Sequence, residues 1–306
     1  MLGDMDLCVT ARALSKRYDN GVLAVDSVDL HVPRGQVYGL LGPNGAGKTT
    51  TLRMLVGLIR PTAGDATVAG HDAGSGESRR QVGALLDRFG LYPYLSGRDN
   101  LRVVARYCGL ENRRIELALG EVGMTRDANR KYGTYSRGMQ QRIALAAVLM
   151  REPAIVILDE PTSGLDPQGI LDMRTLVQEM SRSGRTVLLS SHHLSEVEQV
   201  CQTVGVINRG RLVVEGPVSE LKGAGSLIVK AVPIEPAAHV LRAIAGAGRV
   251  ICREDYLVMT LDGVPVRDIS RALISSGVDI LELRQQERSL ENVFFELTSR
   301  VEARTA

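Results

Sequence analysis

Gly42-Pro43-Asn44-Gly45-Ala46-Gly47-Lys48-Thr49 is the stretch on which the reading of this chain turns. It fits the pattern G-x-x-x-x-G-K-[ST], and its flanks supply the context that gives the pattern meaning. Upstream, Gln36–Leu41 reads as a short strand. Downstream, Lys48–Leu58 reads as a helix, with Leu52, Leu55 and Val56 at helical spacing. Glycines let the backbone fold around phosphate with its N–H groups inward, and the helix N-terminus adds partial positive charge. Lys48 brings a full charge to the β- and γ-phosphates, and Thr49 is placed to ligate Mg²⁺. Gly42, Pro43, Asn44, Gly45, Ala46, Gly47 and Thr50 complete the expected nucleotide contacts.

A phosphate loop of this kind needs an acidic site for the metal and the attacking water. Asp159-Glu160 follows Ala154–Leu158, a continuous apolar run with the character of a strand buried on both faces. Carboxylates at a strand's C-terminal end sit where open α/β sheets bind ligands. Asp159 is assigned to Mg²⁺ and Glu160 to the water. Between the two sites, Tyr135-Ser136-Arg137-Gly138-Met139-Gln140-Gln141-Arg142 opens a helix over Arg137–Arg151, with Ser136 as N-cap and Gly138 in the first turn.

The remaining pattern is α/β. Cys8–Ala13, Val22–Val25 and Ser27–Val32 read as short strands separated by turn signals. Residues 91–135 are mostly helical, and Ser96 with Asp99 forms a capping pair. A helix at Gln168–Ser183, a stop at Gly184 and a strand at Thr186–Ser190 complete a β-α-β unit. Strands at Val204–Asn208 and Arg211–Val214 follow. The expected fold is an α/β nucleotide-binding core over residues 1–222, with an antiparallel β edge and a helical insertion at about 88–150. The pattern breaks at Lys222-Gly223-Ala224-Gly225. Residues 223–306 then read β-α-β-β-α-β, a ferredoxin-like α+β order. A last helix, Ser289–Arg300, carries Leu290, Val293, Phe294 and Leu297 on one stripe.

At about 150 residues per domain, 306 residues agree with that two-part division. Lys plus Arg is 37 and Asp plus Glu 35, a net charge of +2, so a polyanion-binding surface is not expected. With no Trp, three Phe and eight Tyr, neither is a base-stacking platform. A nucleic-acid partner is therefore not expected. Cys8, Cys108, Cys201 and Cys252 form no C-x-x-C motif and fit a reducing compartment. The longest charge-free apolar run, Ile143–Met150, falls far short of the roughly 20 residues a membrane span requires. Met1–Leu7 has no basic region, so it does not read as a signal peptide. His31, His71, His193 and His239 form no ligand spacing, and Arg79-Arg80 and Arg113-Arg114 read as solvated faces.

The conjunction of motifs resembles the ATP-binding cassette (ABC) ATPases over about residues 7–220. Tyr135–Arg142 resembles the family's signature sequence. Leu158-Asp159-Glu160-Pro161-Thr162-Ser163-Gly164-Leu165-Asp166 resembles its Walker B strand running into the D-loop. Ser190-Ser191-His192 resembles its switch histidine, and Tyr18 stands where the family stacks an aromatic on adenine. The resemblance implies a head-to-tail homodimer or heterodimer that traps two ATP molecules. Ser136 and Gly138, with Met139 and Gln140 behind them, would then meet the γ-phosphate held by the partner's Lys48. His192 would contact the same phosphate, and Asp166 would link the two sites.

Two features narrow the resemblance. Val82-Gly83-Ala84-Leu85-Leu86 leads to Asp87 where the family usually has Gln, which is similar to the bacitracin and lantibiotic self-protection branch with its Glu. Asp87 could reach Mg²⁺ through water, but it cannot donate an amide hydrogen bond. Ser289–Thr298 and Leu91–Leu95 are similar to daunorubicin-resistance-type exporter ATPases. The implied protein is an ATPase subunit on the cytoplasmic side of the membrane, peripheral to a separately encoded transmembrane permease that sets the cargo. The alternatives are an importer ATPase with a regulatory tail and a non-transport ABC protein. One cassette per chain, with no long coiled-coil or zinc insertion, disfavours the latter.

Overall fold

The computed structural model describes residues 6–86, 90–223, 225–261, 263–286 and 289–293. The chain forms two compact units, Met1–Pro217 and Val218–Ala306. The sequence pattern breaks at Lys222–Gly225, while the compact units divide at Pro217, which closes the last strand of the first unit.

The first unit begins β1 (Leu7–Arg17), β2 (Leu23–Pro33), β3 (Val37–Leu41), α1 (Lys48–Leu55), β4 (Ala63–Val68), β5 (His71–Asp72), α2 (Gly76–Gln81) and β6 (Val82–Leu85). It continues α3 (Gly97–Cys108), α4 (Asn112–Glu121), α5 (Arg137–Leu149), β7 (Ile155–Asp159) and α6 (Pro167–Arg182). It ends β8 (Thr186–Ser191), α7 (Leu194–Glu198), β9 (Thr203–Asn208) and β10 (Arg211–Pro217).

Two sheets result. An antiparallel sheet has the order β2-β1-β4-β5, and a second sheet has the order β10-β9-β3-β8-β7-β6. In the second, β9, β3, β8, β7 and β6 pair in parallel, with β10 antiparallel at one edge. Every residue of β3 and β8 is buried, as expected of parallel strands covered on both faces. The two runs read as separate strands at Val22–Val25 and Ser27–Val32 belong to the single strand β2. Ser27 takes a left-handed φ of 49°, and between the pairs Leu14↔Val28 and Lys16↔Val25 the β2 side carries one extra residue. A β-bulge of this kind interrupts the hydrophobic pattern without ending the strand. The helix expected over Lys48–Leu58 ends at Leu55, and Gly57 follows with a φ of 73°.

The stretch expected as a helical insertion, about residues 88–150, holds α3, α4 and α5. Ser96 caps α3 by accepting from the Asp99 amide at 3.0 Å, and its hydroxyl donates to the Asp99 carboxylate at 2.6 Å, so the carboxylate meets the N-cap side chain rather than the N-cap amide of a capping box. That hydroxyl, then Arg102, holds the Asp99 carboxyl below its ordinary value of 3.8. No helix among the described residues is long and apolar enough to cross a membrane.

The second unit runs α8 (Val218–Lys222), β11 (Ser226–Val232), α9 (Ile234–Ala245), β12 (Val250–Cys252), β13 (Leu257–Thr260), α10 (Val266–Ser275) and β14 (Asp279–Gln286). From β11 onward the order is β-α-β-β-α-β, and the strands form one antiparallel sheet in the order β12-β13-β11-β14. Leu227 and Val229 on β11 and Leu257 and Met259 on β13 pack with Leu241 on α9 and Ile269 on α10. Of the final helix, residues 294–300 lie outside the described residues, and Leu290 is buried.

Candidate active site

The switch in strand order around β3 decides where a ligand can sit. β3 lies between β9 and β8, and β7 lies beyond β8, so the C-terminal ends of three parallel strands open at one edge. The loop after β3 carries Gly42–Thr49, the end of β7 carries Asp159 and Glu160, and the end of β8 carries Ser190, Ser191 and His192.

Two positions of the loop admit only glycine. A Cβ on Gly42 would fall 2.2 Å from the Ile207 carbonyl oxygen. Gly47 has a φ of 108°, and a Cβ there would fall 2.5 Å from the Ala24 carbonyl oxygen. Pro43, Asn44 and Gly45 lie exposed at the rim of the loop, and Ala46 is buried beneath them. Gly47 gives α1 no side-chain cap, and the first turn of α1 contains no acidic residue. Its N-terminal amides therefore lack an internal anion and can receive an external one.

Lys48 is only 5% exposed. Its ammonium donates to the carbonyls of Gly42 at 2.7 Å and Pro43 at 3.2 Å, and lies 3.5 Å from Glu160 Oε1. A buried cation needs such partners, and a bound phosphate can replace the carboxylate among them. Thr49 donates its hydroxyl to Asp159 Oδ2 at 2.6 Å. The pair offers the hard oxygen donors that a divalent cation selects. Glu160 takes a left-handed φ of 48°, uncommon for a residue with a side chain. From there its other oxygen meets His192 Nδ1 at 3.0 Å. Lys48, Thr49, Asp159, Glu160 and His192 thus form one continuous cluster.

Tyr18 is half-buried. Its hydroxyl lies 3.4 Å from Thr50 Oγ1, and the Lys16 ammonium lies 5.6 Å from its ring centroid. Ser136 is the N-cap of α5, accepting from the Met139 amide at 3.3 Å. The Gln140 side chain donates to the Tyr135 carbonyl at 3.4 Å, and the space where a Gly138 Cβ would stand is open. Within one chain, a cleft of about 820 Å³ is bordered by Thr49, Asp159, Glu160, Arg137 and Gln140; Ser136, Gly138 and Met139 are not among its walls. Asp166 caps α6, accepting from the Gly169 amide at 2.8 Å ahead of Pro167 in the first turn. Asp87 lies outside the described residues.

Three participants are not legible as such in the sequence. Ser190 donates to Asp159 Oδ1 and accepts from the Glu160 amide at 3.0 Å. Thr162 donates to Glu196 Oε2 at 2.6 Å, tying the segment after β7 to α7. The only sequence signal for Ser190 is a hydroxyl that follows the apolar run Val187–Leu189 near the end of the strand.

Comparison with known proteins places this geometry. A family model described as ABC transporter matches residues 25–163. The bacitracin transport ATP-binding protein BcrA of Bacillus licheniformis is 34% identical, with 96% of this chain and 98% of that protein covered. The daunorubicin resistance ATP-binding protein DrrA3 of Streptomyces coeruleorubidus is also 34% identical, with 96% of each covered. Among solved structures, cbiO1 of Clostridium perfringens, part of the ABC transporter complex cbiONQ, superposes with a TM-score of 0.65 at 28% identity, over 71% of this chain and 90% of that one. The cassette MJ0796, in a dimeric post-hydrolysis state bound to ADP and Pi, gives 0.61 at 25% identity, over 69% of this chain and 99% of that one. Sharing the motifs, the fold and about a third of its residues with such relatives along nearly its whole length, the chain belongs to the ABC transporter family, as an ATP-binding and ATP-hydrolysing subunit.

Proposed function

We propose that this chain powers an exporter, of the kind that moves a drug, antibiotic, peptide or lipid, from the cytoplasmic face of a membrane. The observation that carries the reading is the joining of Lys48, Thr49, Asp159, Glu160 and His192 at the ends of three neighbouring strands. The names of its relatives support the direction and cargo class, since they include a bacitracin transport protein and a daunorubicin resistance protein. With no membrane-crossing helix among the described residues, the cargo path is assigned to a separately encoded permease, to which this subunit binds peripherally.

The Gly42–Thr50 loop and α1 hold the phosphates of ATP, with Lys48 against the β- and γ-phosphates. Tyr18 stacks on the adenine. Thr49 and Asp159 would hold Mg²⁺, with Asp87 a candidate further partner through water. When bound, the ion offsets charge on the β- and γ-phosphates. Glu160 orients the attacking water, while His192 contacts the γ-phosphate and steadies the Glu160 carboxylate. Lys48 leaves its contact with Glu160 for the phosphate, freeing that carboxylate for water.

The catalytic unit is a dimer, homomeric or heteromeric, a reading supported by the dimeric MJ0796 cassette. Ser136, Gly138, Met139 and Gln140 open α5 toward the γ-phosphate held by the partner, and Asp166 links the two sites. Ser136 already uses its hydroxyl to cap the helix, so its contribution adds to that of the free amides at the helix start.

Glu160→Gln tests the assignment. The variant is expected to keep ATP binding and lose most hydrolysis. Near-normal turnover in a steady-state phosphate-release assay would overturn the role given to Glu160.

A further inference from the structure

Ser190 is fully buried near the end of β8, in register with Leu40 on β3 and Asp159 on β7. Its strand is central in a sheet covered on both faces, where an apolar residue would be the simpler choice. A hydroxyl here costs free energy unless its donor and acceptors are used. They are used on the two carboxylate residues of the active site. The O–H donates to Asp159 Oδ1, and the oxygen accepts the backbone N–H of Glu160 at 3.0 Å.

The two bonds act on different things. Asp159 receives one hydroxyl on each carboxylate oxygen, Ser190 on Oδ1 and Thr49 on Oδ2. The Ser190 bond therefore settles which oxygen faces Thr49. Glu160 stands in the left-handed region, which disfavours residues with a Cβ. The bond to Ser190 holds its amide in that conformation, and the conformation aims its carboxylate at Lys48 and His192. Loss of the hydroxyl would free Oδ1 and leave the part-buried Glu160 N–H without this partner.

We propose that Ser190 is a positioning residue for ATP hydrolysis, setting both the metal-facing oxygen of Asp159 and the backbone conformation that directs Glu160. The proposal rests on the roles given above to Asp159 and Glu160. One side chain on the strand that leads to His192 thereby couples the orientation of the metal ligand to that of the water-positioning carboxylate.

The test uses the full chain with three readouts: ATP binding in EDTA, Mn²⁺ affinity by electron paramagnetic resonance with a non-hydrolysable ATP analogue, and steady-state kinetics. Ser190→Ala is expected to bind ATP in EDTA like the wild type. Its Mn²⁺ affinity and kcat should each fall about 10- to 100-fold, the usual effect of removing an outer partner of a metal ligand, with KM for ATP little changed. Ser190→Thr, which keeps the hydroxyl, should recover Mn²⁺ affinity. Should the alanine variant fail to bind ATP in EDTA, the near-isosteric Ser190→Cys takes its place under the same criteria. Wild-type Mn²⁺ affinity and kcat in the variant would overturn the proposal. Asp159→Asn separates the two levels. If it weakens Mn²⁺ binding while the Ser190 variant does not, only the role of Ser190 fails. If it leaves Mn²⁺ binding intact, the metal site itself has been misassigned and the Ser190 proposal falls with it.

Discussion

The first unit buries polar and charged side chains, Lys48, Asn100, Thr186 and Ser190 among them, whereas every buried side chain in the described part of the second unit is apolar. Polar burial is costly unless the group is matched, and for Lys48, Asn100 and Thr186 the matching is visible, whereas the buried Ser78 hydroxyl has no hydrogen-bond partner among the described residues. Lys48 has two carbonyls and a carboxylate. Asn100 holds the Tyr92 amide and carbonyl and the Ser96 carbonyl, all within 3.0 Å. Thr186 accepts from the Gly35 amide at 2.9 Å. The second unit instead closes an antiparallel sheet with two amphipathic helices around an aliphatic core. The difference assigns chemistry to the first unit. A preorganised site needs groups held in unfavourable surroundings, and a packed aliphatic core supplies none.

That contrast can be broken at several points. The largest effect is expected from Lys48→Ala, which removes the buried cation. Hydrolysis should fall by about 10²- to 10³-fold, as for loss of one charge-stabilising donor, while unfolding of the second unit is unchanged. Retained phosphate release would break the contrast outright. Next comes Leu241→Ala in the second unit. It should cost about 2–5 kcal/mol of that unit's stability, read by hydrogen exchange, with ATP affinity unaffected. A loss of ATP affinity in this variant would show that the aliphatic unit takes part in the site.

The smallest effect is that of Ser96→Ala in the helical insertion, about 1 kcal/mol by thermal melting at neutral pH. Its pH dependence sharpens the point. The Asp99 carboxyl is lowered in the folded chain by the Ser96 hydroxyl first, so the associated stability is present above pH 3.8 and is lost as pH falls through the lowered value. The gap between wild type and variant should therefore narrow in acid.

Much of the site is legible in the amino-acid sequence. Gly42–Thr49, Asp159-Glu160 and His192 each sit within a short segment whose pattern carries both the local conformation and the chemistry. The Ser96–Asp99 cap is legible for the same reason, since its partners are three residues apart. β4 and β5 do not read as strands. Half of β4 is exposed, and it exists by pairing with the distant β1, while β5 is two residues long and exists only by pairing with β4. The bulge at Ser27 hides the unity of β2, because a left-handed residue breaks the alternation on which strand reading depends.

Contacts across the sheet lie beyond local pattern altogether. His31 and Tyr38 meet on Glu215, at 2.9 Å and 2.6 Å, across separations of 184 and 177 residues. Burial, then Glu215, raises the Tyr38 phenol well above its ordinary value. Ser190 reaches Asp159 over 31 residues, and Thr162 reaches Glu196 over 34. The residue types proposed to bind phosphate and metal are thus written in short motifs, because a glycine loop before a helix makes an anion site wherever it occurs. Which oxygen of Asp159 faces Thr49, how Glu160 is turned and what holds it there follow from the parallel pairing of β7 and β8. Strand register is a long-range property, and it is the assembled sheet that places a serine hydroxyl between two carboxylate residues.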